Sequence, residues 1–349
     1  RKDPVTTSRR LRRLPALALA ALTATALLAG CSSSAQPGST ATDTADGAFP
    51  VTIDSTLGTA VIDAKPKRIV TIGQGSADTA VALGTTPVAV EEQVWGGDAD
   101  AQQPWVREAI EKRGDALPTT FTVTPEIDMD AVAEAEPDLI LAPQSGITQD
   151  QFDVLSQLAP TVAYPGEAWS TAWDDQIEII GEALGQKDDA DGLIDDIRST
   201  LAKVGEKHPE FADLTFAYLY TGEPGTLGVF QPNEPRAAIL ELMGLKSDPI
   251  VAQQEVTAGT ASSVLGLENA DLFNDTDLIF SWFSSAEEQA TIEAQPLYAQ
   301  IPAVKRGSDV VTYDKQFVNA ASIITPLSVP WVLDDYVDLI ADAATRVPR

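Results

Sequence analysis

The residues able to do chemistry in this chain are few in kind: one cysteine, one histidine and a large excess of carboxylates. No Gly-x-Ser-x-Gly elbow, His-Glu-x-x-His pair or paired-cysteine metal motif occurs. Gly73-Gln74-Gly75 lacks both the lysine of a phosphate loop and the ribose-binding acid of a dinucleotide site. A bare divalent metal would need several imidazoles, and His208 is alone. Carboxylates could serve a hydrolase as a spaced pair, but among 52 Asp and Glu some pair lies close by chance. What remains is a set of aromatic side chains, one of them beside a glycine (Trp95-Gly96), together with Arg236. Such groups hold a flat, partly apolar ligand; they do not transform it. The sequence therefore points away from an enzyme and towards a binding protein with no cofactor and no metal site of its own.

The lone cysteine has a different use. Arg9, Arg10, Arg12 and Arg13 precede an apolar run, Leu14 to Leu28, that ends in Leu28-Ala29-Gly30-Cys31. The run is short for a membrane span, and the order of charge, apolar stretch and small residues is that of an export signal. Small residues before a cysteine resemble the lipobox of bacterial lipoproteins, with Cys31 as the lipidated thiol. Residues 1–30 are thus expected to be a lipoprotein signal peptide and 31–49 a flexible tether, rich in Ser, Thr, Ala, Gly and Asp. Six of the 23 basic residues and one of the 52 acidic ones lie in the first 30, leaving 17 against 51. A chain so acidic, without a basic stripe, excludes nucleic acid as a partner.

The elements that must position the aromatic residues follow an α/β alternation, which implies parallel strands. Strands are expected at 68–72, 87–90, 139–141 and 161–164. A helical pattern from Asp189 to His208 then interrupts the rhythm, with Leu193, Ile194, Ile197, Leu201 and Val204 on one stripe. Twenty residues span about 30 Å, the width of a small domain. Alternation resumes with strands at 215–220, 226–230, 278–280 and 310–313, and helices at 236–243 and 328–343. The simplest account is two Rossmann-like α/β lobes, 50–185 and 210–349, joined by one long helix across 186–209. Ligands of open α/β sheets bind beyond the carboxyl ends of the strands. That rule selects Gln74, Ser76, Trp95, Gln144, Ser145 and Trp169 in the first lobe, and Tyr220, Phe230, Arg236, Trp282 and Phe283 in the second.

The lobes also echo each other. Ile127 to Val132 is followed by Pro137-Asp138-Leu139-Ile140, and Leu265 to Ala270 by Thr276-Asp277-Leu278-Ile279. In each, a carboxylate (Asp130 or Glu268) opens a short helix that leads into a strand marked Asp-Leu-Ile. The second copy is longer by one residue.

With these pieces in order, the chain resembles the iron–siderophore/cobalamin family of periplasmic binding proteins. The resemblance is carried by Pro66-Lys67-Arg68-Ile69-Val70, Glu136-Pro137-Asp138-Leu139-Ile140, Ala168-Trp169, Ile180-Gly181-Glu182-Ala183-Leu184-Gly185, Pro235-Arg236 and Ala303-Val304-Lys305-Arg306-Gly307. It implies two lobes bridged by a rigid helix, a ligand in the interlobe cleft, and delivery of that ligand to an ABC permease and its ATPase. It further implies that Asp130 and Glu268 dock on permease arginines, one from each lobe. The ligand class implied is a ferric siderophore, so that iron travels only as a chelate; cobalamin and haem are the alternatives within the same fold, and a sensor lipoprotein without a transporter is another. A triply charged catecholate complex would call for several cleft arginines, whereas only Arg236 stands out, which favours a hydroxamate-type chelate. A monomer, lipid-anchored on the extracytoplasmic side of the cell membrane, is expected.

Overall fold

The computed structural model describes residues 48–222, 224–257 and 260–348. The residues read above as a signal peptide, most of those read as a tether, and Cys31 lie outside the described residues. The first described element is a hairpin, β1 (Val51–Asp54) and β2 (Thr59–Ile62), whose alternating burial sends Val51, Ile53, Ala60 and Ile62 inward. A doubly wound unit follows: β3 (Ile69–Thr71), α1 (Ser76–Ala82), β4 (Ala89–Glu91), α2 (Pro104–Arg113), β5 (Thr119–Phe121), α3 (Met129–Glu134), β6 (Leu139–Leu141), α4 (Gln149–Leu158), β7 (Thr161–Val162) and α5 (Trp173–Ala183). Its five strands are all parallel, in the order β5-β4-β3-β6-β7. β3 and β6, at the centre, are buried along their whole length, as parallel strands covered on both faces must be.

The long helix, α6 (Lys187–Lys207), has 21 residues and a length of about 32 Å. Ala190, Ile194, Ile197, Leu201 and Val204 recur every three or four positions and form its buried stripe. His208 caps it, stacked on Phe211 at 4.8 Å and 3.1 Å from Glu210 Oε1.

The second lobe runs through β8 (Thr215–Tyr220), β9 (Thr226–Phe230), α7 (Pro235–Leu242), β10 (Lys246–Ser247), β11 (Ser262–Gly266) and β12 (Leu278–Trp282). Three short helices come next, α8 (Ala286–Glu293), α9 (Pro296–Ala299) and α10 (Pro302–Arg306), then β13 (Asp309–Thr312), α11 (Lys315–Ala321) and α12 (Ser328–Ala344). Its sheet has the order β11-β9-β8-β12-β13, with β10 also on β8. β8, β12 and β13 are parallel, while β9 and β11 are antiparallel to their neighbours. Both sheets belong to one compact unit, residues 44–349.

The internal echo has a physical basis. Asp138 accepts hydrogen bonds from the backbone N–H of Lys67 and Arg68 at 2.8 Å each, tying the start of β6 to the start of β3. Asp277 does the same at the head of β12, accepting from Thr215 N at 2.9 Å where β8 begins. In each lobe the aspartate of Asp-Leu-Ile thus sets the register of two adjacent parallel strands.

α12 packs on the second sheet through Tyr336, edge-on to Phe280 at 6.1 Å. It also reaches the first lobe, where Trp331 lies 5.4 Å from Trp105 of α2. Below this contact, Asp78 of α1 is wholly buried and accepts from Trp105 Nε1 (2.8 Å), Thr325 Oγ1 (2.6 Å) and Leu327 N (3.0 Å). A second interlobe tie therefore exists beside α6, made by one carboxylate.

Candidate functional site

The strand order of the first lobe reverses at β3, so the loops after β3 and β6 diverge there. They are bonded to each other. Gln74 N donates to Gln144 O at 3.0 Å, and Gly73, at φ +83°, leaves no room for a side chain because a Cβ would lie 2.2 Å from the same oxygen. Gln144 accepts from Thr171 N at 2.9 Å and donates to Trp169 O, so its amide fastens the Trp169 loop. Gln176 of α5 donates to Gln74 O. The switch point is thereby filled with protein groups.

The open space lies beside it, over the ends of β4 and β5. A cavity of about 310 Å³ is lined by Gln74, Glu91, Glu92, Gln93, Val94, Trp95, Val123 and Thr124 from the first lobe. Arg236, Asn319 and Ser322 close it from the second. The lobes touch around this space. The Trp95 and Trp282 rings meet edge to face at 5.4 Å. Gly96, at φ +76°, lies so close to α11 that a Cβ would sit 2.5 Å from Lys315 O. Gln316 and Asn319 of α11 donate to the carbonyls of Gly97 and Trp95 at 3.4 and 3.5 Å. The loop 93–97 is therefore strapped to α11, and the cleft is closed on that side.

Behind Arg236 the second lobe is aromatic. Phe230 packs against Tyr220 at 4.8 Å and Tyr218 at 5.6 Å, and the Arg236 guanidinium lies over its ring at 4.8 Å. Arg236 is the second residue of α7. Glu234, the helix cap, is buried; it accepts from Arg236 N at 2.8 Å and pairs with the guanidinium Nη1. Burial raises the Glu234 pKa and the arginine partly offsets that. Two donors nearby, Arg236 Nε and Trp282 Nε1, are buried with no hydrogen-bond partner among the described residues. An unmet buried donor is costly, but neither atom is exposed to the cavity, and Trp282 is not among its lining residues.

On the opposite wall Glu91 Oε2 accepts from Gly73 N at 2.7 Å. Burial holds its pKa above the ordinary carboxylate range, the Gly73 N–H acts against that, and the neighbouring Glu92 charge adds to it. Among the described residues no group of three or more His, Cys, Asp or Glu could hold a metal ion. The arrangement can hold a ligand between the Trp95 ring, the Arg236 guanidinium, the polar side chains of Gln74, Gln93, Asn319 and Ser322, and two carboxylates.

Of the residues selected from sequence, Gln74, Trp95 and Arg236 come together on the cavity, with Trp282 on Trp95 and Phe230 under Arg236. Tyr220 stacks on Phe230 and shares a hydrogen bond with Ser262 at 3.0 Å. Trp169 is half exposed, in a left-handed conformation (φ +60°), and rests on Gly146 away from the cavity lining. Ser76, Gln144, Ser145 and Phe283 are buried. Ser76 and Ser145 turn their hydroxyls to Ile72 O and Ala142 O, and Phe283 lies in the apolar core of the second sheet. These four present no ligand-facing surface. Sequence reasoning passed over Glu91, Glu92 and Asn319; the first two end or follow β4, where the carboxyl-end rule applies equally well. Asp130 and Glu268 are both exposed, the first within α3 and the second in a 3-10 turn, Leu267–Phe273. The cap of α3 is Asp128, which accepts from Ala131 N, so Asp130 is not needed for capping.

Known proteins resemble this chain in sequence and in fold. Residues 69–317 match the family described as periplasmic binding protein. The iron(3+)-hydroxamate-binding protein YxeB of Bacillus subtilis is 24% identical over 323 residues, covering 90% of this chain and 91% of the relative. An uncharacterized ABC transporter substrate-binding lipoprotein, YvrC of the same organism, is 30% identical over 54% of this chain and 57% of its own. Among solved structures, Streptococcus pneumoniae PiaA in complex with ferrichrome superposes with a TM-score of 0.78 at 28% identity, over 85% of this chain and all of that one. A periplasmic solute binding protein from Mycobacterium smegmatis gives 0.73 at 27% identity, over 86% of this chain and all of that one.

Proposed function

The chain belongs to the periplasmic binding protein family, and from that premise we propose that it captures a ferric siderophore outside the cytoplasm and delivers it to an ABC importer. It is a binding protein of a transport system, not an enzyme. The reading is supported by relatives named for ferric hydroxamate and for ABC substrate binding, and by a neighbour solved with ferrichrome. In this reading iron is cargo, carried inside its chelate.

The observation that carries the hydroxamate class is the charge of the cleft. Its one arginine is already paired with buried Glu234, and the facing wall holds Glu91 and Glu92. Three hydroxamates neutralise ferric iron, whereas three catecholates leave a trianion. Two like charges about 4 Å apart repel by about 4 kcal/mol at the effective dielectric of a protein surface. A trianion is therefore disfavoured, while a neutral chelate meets Trp95, Arg236, Asn319 and Ser322 without that penalty.

The lipid anchor on Cys31 and the permease contacts of Asp130 and Glu268 belong to the same proposal. No helix among the described residues is long and apolar enough to cross a membrane, so attachment would rest on acyl chains at Cys31. More than one chain is needed for a stable hold. Uptake of radiolabelled iron supplied as a ferric trihydroxamate, compared in cells with and without this protein, tests the function. Uptake should depend on the protein; undiminished uptake without it, in cells lacking any other hydroxamate-binding protein, would refute the role.

A further inference from the structure

Glu91 is the last residue of β4 and Glu92 follows it, so both carboxylates stand on the rim of the first sheet. Both are half-buried and both line the 310 Å³ cavity. One oxygen of Glu91 is occupied by Gly73 N–H. Among the described residues no lysine, arginine or histidine forms an ion pair with either carboxylate. The cavity's one guanidinium, Arg236, is on the opposite lobe and already neutralised by Glu234. The first-lobe wall thus keeps two uncompensated negative charges in a half-desolvated place, where they repel each other and lose hydration. A bare cation does not answer this arrangement, because two carboxylates fall short of a metal site. An organic cation attached to the ligand does: an ammonium supplies three donors to acceptors of opposite charge.

The cleft is therefore polarised across its width. Arg236, Asn319 and Ser322 line it on one lobe, and Glu91 and Glu92 are acceptors without a cation on the other. We propose that the cleft selects ferric hydroxamates bearing a protonated amine, with the ammonium seated on Glu91 and Glu92 and the chelate lodged against the second-lobe lining of Arg236, Asn319 and Ser322. The inference rests on the reading of this cleft as a ferric hydroxamate site, and it narrows that class to amine-bearing members.

The test uses two ferric chelates that differ at one group: a linear trihydroxamate with a free terminal amine, and the same molecule with that amine acetylated. Affinities are measured by calorimetry for the wild-type protein, for Glu92→Gln and for Glu91→Gln, with thermal melts to confirm that the variants fold. The free amine should bind about fivefold tighter or more in the wild type, the range of a partly screened ion pair, and the ratio should fall towards one in Glu92→Gln. Equal affinities in the wild type would overturn the amine preference and leave the hydroxamate reading intact. A preference that persists in both variants would overturn the assignment to these carboxylates. Binding of neither chelate would defeat the cleft reading itself.

Discussion

Asp78 offers a perturbation whose size follows from the structure. Its carboxylate is wholly buried where α1, α2 and the segment leading into α12 meet. Burial raises its pKa from 3.8 to about 6, against the hydrogen bonds from Thr325, Leu327 and Trp105, which act to lower it. Because the folded pKa exceeds the unfolded one, the folded state binds this proton more readily. The stability linked to it is complete below about pH 4 and is lost as pH rises through about 6. Between pH 7 and pH 5 the folded carboxyl gains most of its proton while the unfolded one stays ionised. Acidification over that interval should therefore stabilise the protein by about 1.3 kcal/mol through this group alone. The other carboxylates respond to pH as well, so the measurement is a difference: urea unfolding at pH 7 and pH 5 for the wild type and for Asp78→Asn, which has no proton to bind. The wild type's gain on acidification should exceed the variant's by about 1.3 kcal/mol. An identical pH response in the two proteins would refute the account of Asp78 as a buried, titrating tie between the lobes.

Other outcomes follow from the strap, the docking acids and the anchor. Gly96→Val places a branched side chain at a left-handed position and against Lys315 O; it should cost about 2 kcal/mol of stability and weaken ligand binding as the loop leaves α11, seen in a thermal melt and a titration on the same sample. Asp130→Asn with Glu268→Gln keeps shape while removing both exposed charges, so chelate affinity in solution should hold while cellular uptake falls; wild-type uptake at equal protein level would return these acids to ordinary surface roles. Cys31→Ala should release the protein from washed membranes, and retention after a salt wash would contradict a lipid anchor at that thiol.

The sequence carried the lobes more clearly than the site. β8 and β9 lie on the residues expected of them because each is a short apolar run bounded by turn residues, and α6 lies within two residues at either end because its apolar stripe is unbroken and Pro209 follows it. The hairpin β1–β2 escaped notice because four-residue strands give too few alternations to register. α8 to α11 are short and lack a strong apolar stripe, so they read as loop; the loss of α11 hid Asn319 and Ser322 from the site. The carboxyl-end rule selects positions along the chain but not the direction of a side chain. Trp282 and Phe283 are adjacent and extended, so they point to opposite sides; the first meets Trp95 and the second enters the core. Ser76 fails for a related reason, since its hydroxyl bonds back to Ile72 O at the start of α1. Glu91 and Glu92 were visible in the sequence yet passed over, because a carboxylate among 52 attracts no notice until the fold shows it facing a cavity.

The account turns on whether this cleft holds an iron chelate, and calorimetric titration of the purified protein measures that directly. A ferric trihydroxamate should bind one to one and saturably, a ferric tricatecholate markedly more weakly, and ferric or zinc ions supplied without a chelator should give no specific heat of binding. Tight one-to-one binding of the bare metal, or silence with every ferric hydroxamate tried, would contradict it.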